Sequence, residues 1–438
     1  MRLSIPPLPQ SSAVNAAGRL EVAGCDVVEL AREFGTPLFI YDEQQIRERC
    51  REYQSAFGRA PGTKIVYASK AFSCLALIQL LAEEGMSLDV ASGGELFTAL
   101  SAWFPPEEIF LHGNANTRDE LHWAVRNEVG YVVLDSLAEL EVLDRVAGEA
   151  GRRQPVLLRV TPGVEAHTHE FIQTGKQDSK FGFCLADGVA LDGVRRALEA
   201  PNLKLEGLHC HIGSQILALE PYRKTIAIMA DFMAACRDKL GFEAGSLDLG
   251  GGLGAAYLGA EQPPRVDELA ETIMTATRSE MNRAGLAVPR LAVEPGRSIV
   301  ANAGITAYEI QAIKTIPGVR TYAAVDGGMS DNLRPALYGA EYMAVIADRP
   351  LEEPTASVTV AGKHCESGDI LVKDARLPDP ARGDILVTPA TGAYGYSMAS
   401  NYNGQPRPAV LFVKDGDARV VIIRETYEDL IRLHQRIE

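Results

Sequence analysis

The sequence predicts an α/β protein: a (β/α)8 TIM-type barrel followed by a mostly-β C-terminal domain. Three observations predict it. Between Lys64 and Glu294, eight short apolar runs alternate with helix-like segments, the pattern of a closed parallel barrel. No Gly-x-Gly-x-x-Gly follows the first run, which weighs against an open dinucleotide-binding sheet. After Ile305 helical segments give way to short β-rich runs separated by Gly, Pro and Asp, as in a β domain.

The elements follow in order. A Pro-rich start leads into Val27–Gly35, a helix with a glycine stop. Residues 37–41 read as a strand and 43–57 as a charged amphipathic helix. Strand candidates then stand at 64–69, 87–91, 109–112, 131–134, 156–160, 205–210, 246–249 and 290–294. Helix candidates stand between most of them, at 73–84, 94–103, 118–128, 137–149, 220–238 and 266–284. The connection from 161 to 204 is longer and holds an extra loop. Later strands are expected at 306–314, 321–325, 342–347, 357–361, 385–388, 409–413 and 418–424, with a helix at 426–437. The division expected is an N-terminal segment 1–40 packing with the β domain, a barrel 41–304 and a β domain 305–438.

At 438 residues the chain is too long for one ordinary core. A hydrophobic content of 46% and a mean hydropathy near zero describe a soluble globular protein. The net charge of −15 argues against a nucleic-acid partner, which needs a basic face. It leaves room for an anionic ligand held by local arginines. No apolar run reaches membrane-spanning length, and the N-terminus lacks a signal peptide's apolar core. Seven scattered cysteines without a Cys-x-x-Cys pair suit a reducing cytoplasm and free thiols.

Barrel active sites lie at the C-terminal ends of the strands. There the sequence places Lys70, Asp89, His112, Arg159, His209 and His211, Ser214, Asp248 with Gly250–Gly252, and Glu294-Pro295-Gly296-Arg297. A lysine at the end of a buried strand is expected to be desolvated, which lowers its pKa and makes it a candidate Schiff-base former. Its plainer alternative is a solvent-facing residue past the strand. The glycines after strand seven are expected to offer backbone N–H groups to a phosphate, with Gly296 and Arg297 adding donors; a flexible turn is the alternative. Lysine, carboxylate and phosphate site together point to pyridoxal phosphate: Lys70 on the aldehyde, Glu294 on the pyridine nitrogen, His211 against the ring. His209 and His211 share a strand face and could ligate a metal, but no third ligand has a convincing spacing, so no metal is expected.

The runs Tyr67-Ala68-Ser69-Lys70-Ala71-Phe72 and Gly207-Leu208-His209-Cys210-His211-Ile212-Gly213-Ser214-Gln215, the triple glycine and Glu294-Pro295-Gly296-Arg297 resemble fold-type III pyridoxal-phosphate enzymes. That group pairs an alanine-racemase-like barrel with a β domain. The likeness runs from about residue 25 to 430; Ala-Ser-Lys stands where many relatives have Ala-Val-Lys. Within the group, Met329-Ser330-Asp331-Asn332-Leu333-Arg334-Pro335-Ala336-Leu337-Tyr338-Gly339 and Cys365-Glu366-Ser367-Gly368-Asp369 are similar to the diaminopimelate decarboxylases.

The resemblance implies decarboxylation of meso-2,6-diaminopimelate to L-lysine and carbon dioxide, the last step of lysine biosynthesis. The cofactor would be held by Lys70, Asp89, His211, Ser214, Gly250, Gly251, Gly252, Glu294, Gly296, Arg297 and Tyr394. Arg297, Arg334, Tyr338, Glu366 and Tyr394 would meet the substrate. Lys70, His211 and Cys365 would be catalytic, with Cys365 crossing to the second subunit of a homodimer. A glutamate at 294 fits a decarboxylase better than a racemase, whose arginine there disfavours a full electron sink. Arg334 suits a distal carboxylate; as a surface arginine it would carry no such meaning. Small-hydrophobe packing is the alternative for Cys365, and core packing for Tyr394. Ornithine, arginine or carboxynorspermidine decarboxylation, or a non-catalytic pyridoxal-phosphate-binding role, are the alternative functions. The stretch His167–Gly175, continued by Asp178–Phe183, also resembles this subfamily.

Overall fold

The computed structural model describes residues 7–164 and 179–437; the loop 167–175 lies outside them. The chain forms two compact units: residues 49–254 with 263–296, and residues 1–48 with 255–262 and 297–438.

The first unit is the barrel. Its parallel strands run Lys64–Ala68, Ser87–Val90, Ile109–Leu111, Tyr131–Leu134, Gln154–Thr161, Leu203–Cys210, Ser246–Asp248 and Arg290–Val293. Each pairs with the next, and Ala292 pairs back to Lys64, closing the ring. Val66, Phe110, Val133, Leu157 and Ala292, from five strands, pack together inside. A fully buried valine, leucine or phenylalanine contributes about 1.5–3 kcal/mol. Several of the helices begin at polar caps. Ser92 accepts from Glu95 N at 3.2 Å, and Thr117 and Glu120 form a reciprocal cap; each cap stabilises by about 1 kcal/mol.

Several elements escape the sequence pattern, two of them for reasons the structure makes plain. Helix Val189–Glu199 lies in the long 161–204 connection, and Gly193 interrupts its apolar face. The Cβ of any other residue at 193 would come 2.8 Å from the Phe183 ring, so the glycine serves close packing. Strand Ile370–Leu377 hides its period because Asp374 adopts φ +51°, beside register shifts in the partner strand.

The second unit is built on sheets. Gly304–Ile316 is a 13-residue strand that changes partners along its length. Its first half pairs with Ile385–Pro389 and Leu38–Asp42, its second with Arg320–Val325. Leu38–Asp42 therefore lies inside the sheet, antiparallel to Gly304–Ile316 and parallel to Ala409–Lys414. All five of its residues are buried. Leu38, Ile40, Ile305, Val387 and Leu411 share one core with Leu20, Val22 and Val28 from the N-terminal segment.

Candidate active site

The candidate groups of the barrel lie near the C-terminal ends of its strands. Strand Lys64–Ala68 runs into a single turn, Ser69–Ala71, which carries Lys70 beyond the strand end. Its side chain is 48% exposed, with Nζ 3.9 Å from Asp89 Oδ2. This corrects the expectation of a buried lysine: the turn lifts the amine to the mouth, where a carboxylate rather than desolvation faces it. Ser69 anchors that turn by donating to Glu95 Oε2 at 2.7 Å.

The densest cluster lies beside it. Glu294, one residue past strand eight, has Oε1 2.9 Å from His112 Nε2 and Oε2 3.3 Å from His209 Nε2. All three are buried. Burial alone would raise the Glu294 pKa; the two histidines outweigh it and hold the carboxyl well below its ordinary range. On His112, burial opposes charge, yet Asp89 and Glu294 prevail and its pKa rises. His209 goes the other way, pushed down by burial to about 4. Asp89 is raised by burial, against the pull of His112 and Lys70. The cluster so carries one ionised carboxylate between two imidazoles of different charge preference.

His209 therefore does not pair with His211. Its partners are His112 and Glu294, whose ligating atoms lie within 4.8 Å of one another and of its own. The trio comes from three strands, so no spacing in the sequence announces it. His211 turns to the glycine run instead, its Nδ1 accepting from Gly251 N at 3.2 Å. Burial, with Lys70 and Arg159 adding to it, drives its pKa well below the ordinary value, so the ring is neutral.

The glycine run departs from expectation in one respect. Gly250 N donates to Asp248 Oδ1 at 2.9 Å, and Gly251 N to His211 Nδ1. Those two donors are engaged inside the protein; Gly252 N makes neither bond. What the glycines provide is clearance. A Cβ at Gly250 would stand 2.6 Å from His211 Nδ1, at Gly251 2.0 Å from Glu294 O, and at Gly252 2.7 Å from Gly213 O. Gly296 is pressed the same way against Ala71 and Ala68. Ser214 lies in the loop after strand six, half-buried. Arg159 stands 3.8 Å from Asp135 and over the Phe181 ring at 4.4 Å, close enough to the histidines for its charge to act on them.

The second unit gathers a different set. Arg297 opens the short helix Arg297–Val300 and donates to Tyr257 Oη. Its guanidinium stands 4.7 Å over the Tyr394 ring. Arg334 begins the helix Arg334–Tyr338, stopped by Gly339 at φ +61°. It donates to Tyr342 Oη at 2.5 Å and lies 4.6 Å over the Tyr257 ring. Both arginines are buried, so Arg334 is no surface arginine. Burial would raise Tyr257, but Arg297 and Arg334 outweigh it and lower the phenol. Tyr257 and Tyr342, packed edge to face at 5.3 Å, are partners that sequence reasoning missed. Neither lies in a quoted motif or at a readable spacing from the arginines. Tyr338 ends the helix that Arg334 starts, on the same side four residues on. Tyr394 holds φ +61°, a conformation non-glycine residues adopt at a cost of about 1–3 kcal/mol and often at functional positions. Cys365 and Glu366 are exposed at a loop tip.

The barrel residues fit pyridoxal phosphate. They supply an accessible amine, an ionised buried carboxylate, a neutral imidazole and a glycine surface with no room for side chains. Residues 43–301 match the family model described as pyridoxal-dependent decarboxylase, pyridoxal binding domain. The chain is 47% identical over 425 residues to the diaminopimelate decarboxylase of Bacillus subtilis, covering 97% of each. It is 46% identical over 437 residues to that of Mycobacterium tuberculosis, covering 98% of this chain and 97% of the relative. Among solved structures, the M. jannaschii diaminopimelate decarboxylase in complex with L-lysine superposes with a TM-score of 0.91, at 34% identity and 98% coverage of both chains. The chain belongs to the diaminopimelate decarboxylase family of pyridoxal-dependent decarboxylases.

Proposed function

We propose that this protein decarboxylates meso-2,6-diaminopimelate to L-lysine and carbon dioxide, with pyridoxal 5'-phosphate as cofactor. The observation that carries the reading is the buried Glu294, 2.9 Å from His112 and 3.3 Å from His209, at the strand end next to that of Lys70. When bound, the cofactor supplies an electron sink for the pair left behind as carbon dioxide departs.

The side chains have these roles. Lys70 would hold the cofactor aldehyde through its amine, and an incoming substrate amino group would compete with that amine. Glu294 keeps a proton on the pyridine nitrogen, which an ionised carboxylate does and an arginine cannot. His211, neutral, offers a flat apolar face to the ring. Asp89 orients the Lys70 amine. Ser214, Gly250–Gly252, Gly296, Arg297 and Tyr394 make the remaining cofactor contacts, the phosphate among them. Arg334, with Tyr338, meets the distal carboxylate, and Arg297 and Tyr394 assist; Glu366 meets the distal ammonium. Cys365 gives its thiol proton to the α-carbon and recovers one from solvent.

Cys365 and Glu366 complete the site of the other protomer, so the working unit is a homodimer. The cytoplasm is the proposed compartment, in keeping with free cysteines throughout. No helix among the described residues is long and apolar enough to cross a membrane. The test is release of carbon dioxide from meso-diaminopimelate by the holoenzyme, against ornithine and arginine. Turnover of diaminopimelate alone supports the reading. Faster turnover of ornithine or arginine would replace it.

A further inference from the structure

The loop that presents Cys365 is locked from inside. Asp369 Oδ2 accepts from the His364 backbone N–H at 2.9 Å and faces His364 Nδ1 at 2.7 Å. Asp369 Oδ1 accepts from Met329 N at 2.6 Å. Gly362 N donates to Asp369 O at 2.9 Å, closing the loop base. Both side chains of the pair are sealed from solvent, at 0% and 1% exposure. His364 stacks on Tyr402 with centroids 5.7 Å apart and planes 10° from parallel. A Cβ on Gly362 would meet Asp369 Oδ2 at 2.1 Å, and one on Gly328 at 2.5 Å.

A second tie acts on the cysteine itself. Asn403 Oδ1 accepts from Cys365 N at 2.9 Å, and Asn403 holds φ +54° to present that oxygen. The segment thus buries a histidine and an aspartate while leaving the thiol and Glu366 exposed. Burying such a pair costs desolvation, and His364 Nε2 has no hydrogen-bond partner among the described residues. A loop needing only stability would be served by apolar packing.

We propose that His364, Asp369 and Asn403 are positioning residues for the Cys365 thiol. The proposal rests on the reading of Cys365 as proton donor. In that step the S–H bond breaks, a C–H bond forms at the α-carbon, and solvent reprotonates the thiolate. Proton transfer depends steeply on placement, and a misplacement of about 1 Å costs roughly a hundredfold. The dyad fixes the residue before Cys365, and Asn403 fixes its amide, so the thiol swings about little more than its own χ1.

The test compares steady-state kinetics of four holoenzyme variants. His364→Ala removes the side-chain partner of Asp369 and keeps the backbone donors. His364→Asn restores it, because the asparagine Nδ2 occupies the place of Nδ1. Asn403→Gly removes the acceptor while keeping the left-handed backbone. Expected for His364→Ala is a kcat about tenfold to a hundredfold lower, with KM and the cofactor absorption band unchanged. His364→Asn recovers most of that loss, and Asn403→Gly lowers kcat severalfold. Wild-type kcat in both His364→Ala and Asn403→Gly overturns the proposal, as does a His364→Ala loss that His364→Asn fails to recover. Should His364→Ala not fold, Asn403→Gly decides alone. Cys365→Ala is the control: full kcat there overturns the proton-donor reading itself, whereas impaired Cys365→Ala beside normal positioning variants overturns only the positioning role.

Discussion

Glu294 and His112 meet at 2.9 Å at the mouth of the barrel, with His209 closing on the other carboxylate oxygen at 3.3 Å. The carboxylate is thereby kept charged in a place where burial would otherwise neutralise it. Glu294→Gln keeps the shape and removes the charge. The expected result is a loss of roughly a hundredfold or more in kcat, with the protein still folded by circular dichroism. A variant with wild-type turnover would remove Glu294 from the chemistry.

The same cluster makes stability depend on pH. Glu294 is depressed in the folded protein. Its contribution is present above the unfolded carboxylate value and lost as pH falls through the folded one. His209, at about 4 when folded against 6.5 otherwise, resists protonation, so it also removes stability as pH falls between 6.5 and 4. His112 is raised and acts in the opposite sense: its contribution is present below 6.5 and fades as pH rises through its folded value. His209→Gln is therefore expected to flatten the fall in thermal midpoint between pH 6.5 and 4. The effect at stake is on the order of 3 kcal/mol. An unchanged pH profile would show that His209 is not buried neutral.

In the proposed function Arg334 reads the second carboxylate of the substrate. Lysine in its place keeps the charge and loses the planar fork and the stacking on Tyr257. Arg334→Lys is expected to raise KM for diaminopimelate about tenfold to a hundredfold, the loss of one charged hydrogen-bond pair. Cofactor affinity should be unchanged. Tyr342→Phe, which takes away the Arg334 partner at 2.5 Å, should produce a smaller rise of the same kind. An unaltered KM in Arg334→Lys would move the specificity element elsewhere.

The proposed sharing of sites between protomers makes a further demand. Lys70→Ala and Cys365→Ala should each be inactive as homodimers, yet recover activity when mixed and allowed to exchange subunits. Each mixed dimer then has one site with both residues intact. A lack of recovery, with exchange verified by mass, would place Cys365 in the site of its own chain.

The barrel was legible because its strands are nearly continuous apolar runs, as buried parallel strands must be. Tyr131-Val132-Val133-Leu134 is such a run, and strand and pattern coincide there. Asp374 shows where the pattern fails: a left-handed residue inside a strand breaks the period of two. Residues in motifs, such as Lys70 and Glu294, could be named in advance, but their surroundings could not. Periodicity overstates the burial of Lys70, because the single turn after the strand, Ser69–Ala71, is invisible to it. His112, His209 and Glu294 converge from three strands, and Tyr257 and Tyr342 converge on Arg334 from separate loops. Only closure of the fold brings these groups together.

The most direct test of the central claim is to reduce the holoenzyme with borohydride, digest it and map the phosphopyridoxyl group by mass spectrometry. The prediction is a single modified peptide carrying the label on Lys70, with loss of the absorption band near roughly 420 nm. A label on another lysine, or a protein that takes up no pyridoxal phosphate at all, would contradict the assignment of this strand end as the active site.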